Sequence, residues 1–178
     1  VIGEDLGTVP PEVRDAMREH AVLSYCPLYF ERDEQARFRA AADWPEQALA
    51  VVGTHDLPTL AGFWAGQDLR ARRELGLYPE ASMAEEQALE RAADRAHLLL
   101  ALEREGLAAP GSAVQPPPHM DEALARAVHE YLGRSRAWLV GIQLEDVCLQ
   151  LEPVNVPGTT DERPNWRLKL AVPLEDLP

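Results

Sequence analysis

Cysteine is scarce in this 178-residue chain, with 2 in all, Cys26 and Cys148. They lie far apart, at neither a C-x-x-C nor a zinc-finger spacing, which argues against a disulfide framework and for reduced thiols in a cytoplasmic protein. Basic residues are also few, 17 against 30 acidic ones, for a formal charge of −13. The positive footprint of a nucleic-acid binder is therefore missing, and an uncharged partner is expected. No apolar run reaches the roughly 18 to 20 residues that cross a bilayer, and no basic segment precedes one as in an export signal, so no membrane partner is expected. Neither a G-x-G-x-x-G after a strand nor a Walker glycine loop is present, which leaves nucleotide phosphate binding without support. No His, Cys and carboxylate set has metal-site spacing.

What is present is an apolar content of 46%, enough for a core, and an alternation of strand-like and helix-like segments. Val1-Ile2-Gly3 reads as the end of a buried strand, and Glu4-Asp5-Leu6-Gly7 as the loop leaving it. Thr8 to Glu12, with two prolines where missing N–H groups cost least, starts a helix running to about His20 with Val13 and Met17 on its apolar face. Ala21 to Cys26 predicts a strand stopped by Pro27, and Glu31 to Ala42 an exposed helix or loop. Leu49 to Thr54 is a continuous apolar run suited to a parallel sheet covered on both faces. A short helical segment from Leu57 to Gly66 follows, then a charged one around Arg70 to Glu74. A long helix is expected from Met83 to Glu105, with Leu89, Ala92, Ala96, Leu99 and Leu100 as its core stripe. The proline-rich "LAAPGSAVQPPPHM" connects it to a capped helix over Asp121 to Tyr131, and Trp138 to Ile142 reads as another buried strand.

Repeated strand–helix order predicts a parallel α/β architecture, either a doubly wound sheet or a (β/α)8 barrel. Glu4-Asp5, His55-Asp56 and Gln143 with Glu145-Asp146 all fall just beyond strand ends, where both architectures gather functional groups. Without a nucleotide fingerprint the barrel fits better, and about four strands make the expected fold half a (β/α)8 barrel with helical insertions. Two carboxylates at strand ends suit glycosidic-bond chemistry, in which one protonates a leaving oxygen while negative charge faces an oxocarbenium-like transition state. Glu4 and Asp56 are the candidates. Two blander readings stand beside this: Glu4-Asp5 as a charge pair at a helix start, and His55-Asp56 as a solvated loop pair.

The stretches "IGEDLGTVPPEV", "VVGTHDLPTLAGFW" and "LEPVNVPGTTDERPNW", in this order, make the chain resemble the C-terminal half of the amylomaltases, bacterial 4-α-glucanotransferases. The resemblance covers nearly all of residues 1–178. It implies a (β/α)8 barrel, a retaining transfer of α-1,4-glucan segments between maltooligosaccharides, and no cofactor. Carried over by motif, Glu4 matches the general acid/base and Asp56 the transition-state stabilising aspartate, with His55 on sugar hydroxyls. Asp5, Trp64 and Asn155 are further candidates for substrate contact, Trp64 by stacking on a glucosyl ring or, alternatively, as a core residue. Pro157-Gly158-Thr159 would help wall the site. Asn165-Trp166-Arg167 looks like the family's closing motif, although Leu168 stands where a second basic residue is common, which puts a salt bridge there in doubt. The "HDLPT" wording is closer to longer members with extra N-terminal domains.

The nucleophilic aspartate that the resemblance implies has no counterpart in these residues. The chain is therefore expected to be a fragment, inactive by itself and prone to self-association through unpaired barrel edges. The alternatives are an α-glucan hydrolase and a non-catalytic carbohydrate-binding module. His20, His97, His119 and His129 are expected to be surface or packing residues.

Overall fold

The computed structural model describes residues 1–177. Four strands, β1 (Ile2–Gly3), β2 (Leu23–Pro27), β3 (Ala48–Val51) and β4 (Leu139–Val140), form one sheet in the order β1-β2-β3-β4. Every neighbouring pair is parallel. Consecutive order without reversal means that right-handed crossovers all return over the same face of the sheet. A doubly wound sheet needs a reversal, and these four strands have none.

Six helices accompany the sheet: α1 (Pro11–Glu19), α2 (Leu60–Ala65), α3 (Gln67–Glu74), α4 (Ala81–Arg104), α5 (Glu122–Gly133) and α6 (Leu144–Val147). Local chemistry sets their ends. Pro11 occupies the first turn of α1, Thr59 Oγ1 accepts from Gly62 N at the start of α2, and Asp121 accepts from Leu124 N at the start of α5. Gly66 ends α2 with φ +69° and begins α3, a backbone that favours glycine. The expected exposed segment at 31–42 is an irregular loop, yet Phe38 within it is fully buried, with Arg32 stacked over its ring.

Strand pleating divides the sheet into two faces. Ser24 pairs with Ala48 and Cys26 with Ala50, and on this side Cys26, Ala48, Ala50 and Val52 join one core with Leu98, Leu99 and Leu102 of α4 and Val128, Tyr131 and Leu132 of α5. Small alanines let those helices approach closely. The opposite side carries Ile2, Leu23, Tyr25, Leu49, Val51 and Leu139, none of which belongs to that core, and Ile2 and Leu139 remain about half exposed.

Three sequence expectations need correction, the first being the buried strand end at Val1-Ile2-Gly3, where Val1 is 96% and Ile2 46% exposed because β1 is an edge strand. In α4, Leu98, Leu99, Ala101 and Leu102 are the buried residues, whereas Leu89 and Leu100 are exposed. The N-terminal half instead meets α2 and α3 through Arg91, which bonds Asp68 and covers the Phe63 ring, so the apolar stripe is enclosed only near the C-terminus. The 138–142 stretch is not a buried strand either. It pairs only through Leu139 and Val140, both exposed, at the edge of the sheet.

Candidate functional site

The best-ordered cluster of polar groups lies just past the carboxyl end of β3. Thr54 is buried and its hydroxyl accepts from Asp56 N at 3.2 Å, which turns the chain sharply out of the strand. His55 and Asp56 then emerge side by side, each about half exposed, with His55 Nε2 3.5 Å from Asp56 Oδ2. The other carboxylate oxygen, Oδ1, accepts from Asn155 Nδ2 at 2.5 Å. Two bonds anchor the strand end and the turn: Gly53 N donates to Gln143 Oε1, and Tyr29 Oη donates to Pro58 O.

Behind Asp56 lies a cavity of about 300 Å³ whose walls include Tyr29, Phe63, Asp68, Arg91 and Asn155. Tyr29 stacks on Phe63 at 4.5 Å, and burial pushes the Tyr29 phenol well above its ordinary range. Asp68 and Arg91 form a two-pronged pair at 2.7 and 2.8 Å that spaces α3 from α4. On the solvent side Trp166, 62% exposed, sets its indole 5.1 Å from the His55 ring. Its backbone is left-handed, φ +65°, a costly state for a large side chain and one that recurs where function fixes the chain. The donation of Trp166 N to Val154 O at 2.9 Å holds it there.

Asn155 thus joins Asp56 and His55 in one cluster. Glu4 is exposed just beyond β1 and has no hydrogen-bond or ion-pair partner among the described residues. Tyr25 is near enough that the Glu4 charge, after burial, helps hold its phenol above the usual value. One strand separates β1 from β3, so their carboxyl ends stand two strand spacings, about 10 Å, apart along the sheet.

Two candidates do other work. Trp64 is fully buried: its Nε1 donates to Pro117 O at 2.9 Å and Arg95 covers its ring, so no face is left for a sugar. Asp5 turns into the protein, where Oδ1 accepts from Tyr25 N at 3.0 Å and Oδ2 lies 3.8 Å from Arg14. It ties β1 to β2 and borders a different cavity from Asp56. Asp146 also leaves the strand-end group, because it is 1% exposed beneath α2.

Trp166, exposed beside His55, is a residue that motif reading did not assign to substrate. Its neighbours carried the signal: Trp64 sits in apolar "TLAGFW", while Trp166 sits in polar "DERPNWR", far from any core stripe. Cys26 and Cys148 are free thiols, and burial pushes Cys26 up to about 12, which rules it out as a nucleophile. Among the described residues no three His, Cys, Asp or Glu gather as metal ligands, and no helix is long and apolar enough to cross a membrane.

A parallel α/β sheet with a carboxylate, an imidazole and an exposed indole at a strand's carboxyl end places the chain among α/β proteins that work at that end of the sheet. A family model described as 4-alpha-glucanotransferase matches residues 1–174, and the chain belongs to that family. It is 39% identical over 177 residues to a 4-alpha-glucanotransferase of Haemophilus influenzae, covering 98% of this chain and 25% of that protein. It is 42% identical over 188 residues to one of Mycobacterium tuberculosis, covering 99% and 25%. The crystal structure of amylomaltase from Corynebacterium glutamicum superposes with a TM-score of 0.85 at 28% identity, over 96% of this chain and 25% of that one. The chain spans about a quarter of the length of these relatives.

Proposed function

We propose that the chain supplies the acid/base and stabilising half of a 4-α-glucanotransferase site, acting on α-1,4-glucans such as maltooligosaccharides. The observation that carries this reading is Asp56 at the end of β3, fixed by Asn155 and flanked by His55, in a chain of the 4-alpha-glucanotransferase family. A carboxylate whose one oxygen is already engaged presents the other toward solvent and, in the transition state, toward a sugar carbon gaining positive charge. His55 and Asn155 offer donors to sugar hydroxyls, and Trp166 offers an apolar face for a ring. Glu4 would protonate the departing glycosidic oxygen and later take the proton from the incoming 4-hydroxyl.

A retaining reaction also needs a nucleophile roughly 5 to 5.5 Å from the acid/base. We assign that group to segments the longer relatives carry beyond the matched quarter. On this reading the four strands are the second half of a (β/α)8 barrel, and the half-exposed side with Ile2 and Leu139 faces the first half. Residues 1–178 alone would be inactive and would self-associate through that side. The two free thiols suit a cytoplasmic protein.

The test is a product profile from maltotriose, using the full-length protein. Glucose with a ladder of longer maltooligosaccharides supports transfer. Shorter sugars alone would make it a hydrolase, and no change in the substrate would favour a binding module.

A further inference from the structure

Asp146 is the most deeply buried carboxylate of the described residues and has no place in the reaction as proposed. Its Oδ1 accepts from Leu60 N at 2.6 Å, on the first residue of α2. Immediately before Leu60, Thr59 Oγ1 donates to Gln150 O, and Gly62 lies so close to Leu151 O that a Cβ there would collide with it. The α6 segment therefore grips the chain only a few residues after His55 and Asp56. The other oxygen, Asp146 Oδ2, is buried without a partner, and His129 Nε2 is likewise buried and unpartnered. Both residues line a cavity of about 250 Å³ between α5 and α6.

His129 Nδ1 lies 2.8 Å from Ala125 O. A carbonyl only accepts, so Nδ1 carries the hydrogen and the neutral ring presents Nε2 as a second acceptor. Two buried acceptors without partners attract each other only when a proton resides on one of them. We propose that Asp146 is a positioning residue for the Asp56 turn, tying α6 to α2, and that proton uptake by Asp146 sets the strength of this tie.

With Asp146 ionised, the bond to Leu60 is charge-assisted and roughly twice as strong as a neutral one. A proton on Asp146 removes that charge and relaxes the turn. Burial pushes the Asp146 carboxyl up to about 6, with the Leu60 N–H and the His129 charge pulling it back down. The other charged or titratable groups around Asp146 are Glu122 and Arg126 of α5, Glu145 of its own helix, and Tyr29 beyond β2.

The inference rests on the proposed function only for its catalytic consequence. In full-length protein labelled with 15N-leucine, the Leu60 amide proton is expected to move downfield as pH rises through this range. It should stay fixed in Asp146→Asn, and its midpoint should rise in His129→Gln, which loses the cation that lowers Asp146. Maltotriose transfer by Asp146→Asn should show a kcat lower by on the order of tenfold to a hundredfold, with KM little changed and the acid limb of the pH profile altered. A Leu60 amide that does not titrate in the unaltered protein, or an Asp146→Asn enzyme with unchanged kcat and acid limb, overturns the proposal. If Asp146→Asn does not fold, an unmoved midpoint in His129→Gln overturns it. If no protein transfers glucan at all, the proposed function falls, and the Leu60 titration alone decides whether Asp146 holds the turn.

Discussion

The carboxyl ends of β1 and β3 make a useful pair, because each releases two adjacent polar residues into a loop and only one of them is scaffolded. At β3, Asp56 is held by Thr54, Asn155 and His55, and beneath it Asp146 and Gln150 clamp the start of α2. At β1 the loop is tied only through Asp5, while Glu4 stands free. The groups that hold Asp56 are spread over residues 54–155, whereas no side-chain partner of Glu4 lies among the described residues. The β3 end is therefore the more firmly scaffolded of the two.

Removing the two candidate groups should affect activity most and should separate the two ends. In the full-length protein, Glu4→Gln is expected to lower maltotriose transfer by about 10²- to 10⁴-fold, with a melting temperature unchanged, since Glu4 holds nothing. Asp56→Asn should lose activity to a similar degree but also loosen residues 153–156, read as faster hydrogen exchange there. Equal stability effects in the two variants would erase the distinction.

Next in size is the core that supports the β3 end. Trp64→Ala should cost about 3–5 kcal/mol of stability by urea unfolding, through a cavity beneath α2. A surface sugar-stacking tryptophan would cost far less.

The buried acid gives a pH dependence with a definite sign. Asp146 is raised from 3.8 to about 6, so the folded state holds more protons than the unfolded state between those values. Stability is then highest below the lower value and falls as pH rises through the upper one, by on the order of 3 kcal/mol for this group. Urea midpoints between pH 4 and 7 should follow that slope, and Asp146→Asn should flatten it.

The smallest effect belongs to Trp166. Trp166→Gly removes the ring together with its left-handed strain, leaving stability within about 1 kcal/mol. KM for maltotriose should rise about fivefold, the loss of roughly 1 kcal/mol of ring contact. An unchanged KM would remove Trp166 from the substrate face.

How much of this was legible in the sequence follows from what each signal measures. Helices α1 and α5 and strands β2 and β3 were readable because prolines, an aspartate cap and dense apolar runs act locally. The stripe of α4 misled because periodicity marks an apolar face without saying which neighbours cover it, and its N-terminal half meets α2 and α3 through the charged Arg91. Glu4, His55 and Asp56 were visible through motifs at strand ends. Asn155 was singled out by the family resemblance as a substrate-contact candidate, but its bond to Asp56 was not legible, since a contact across 99 positions leaves no local trace. Asp146 could be placed after a strand but not on its correct side, because α6 is a single turn whose burial depends on α2 and α5. Trp64 is buried and Trp166 exposed for a reason the flanking residues already carried, apolar around one and polar around the other.

The account stands most directly on the different roles given to Glu4 and Asp56. The decisive measurement compares Glu4→Gln and Asp56→Asn, in the full-length protein, on maltotriose and on α-maltosyl fluoride, whose fluoride departs without a proton. If Glu4 is the acid, Glu4→Gln fails on maltotriose yet still consumes the fluoride, while Asp56→Asn fails on both. A Glu4→Gln enzyme that is equally impaired on both donors, or equally active on both, would contradict the assignment.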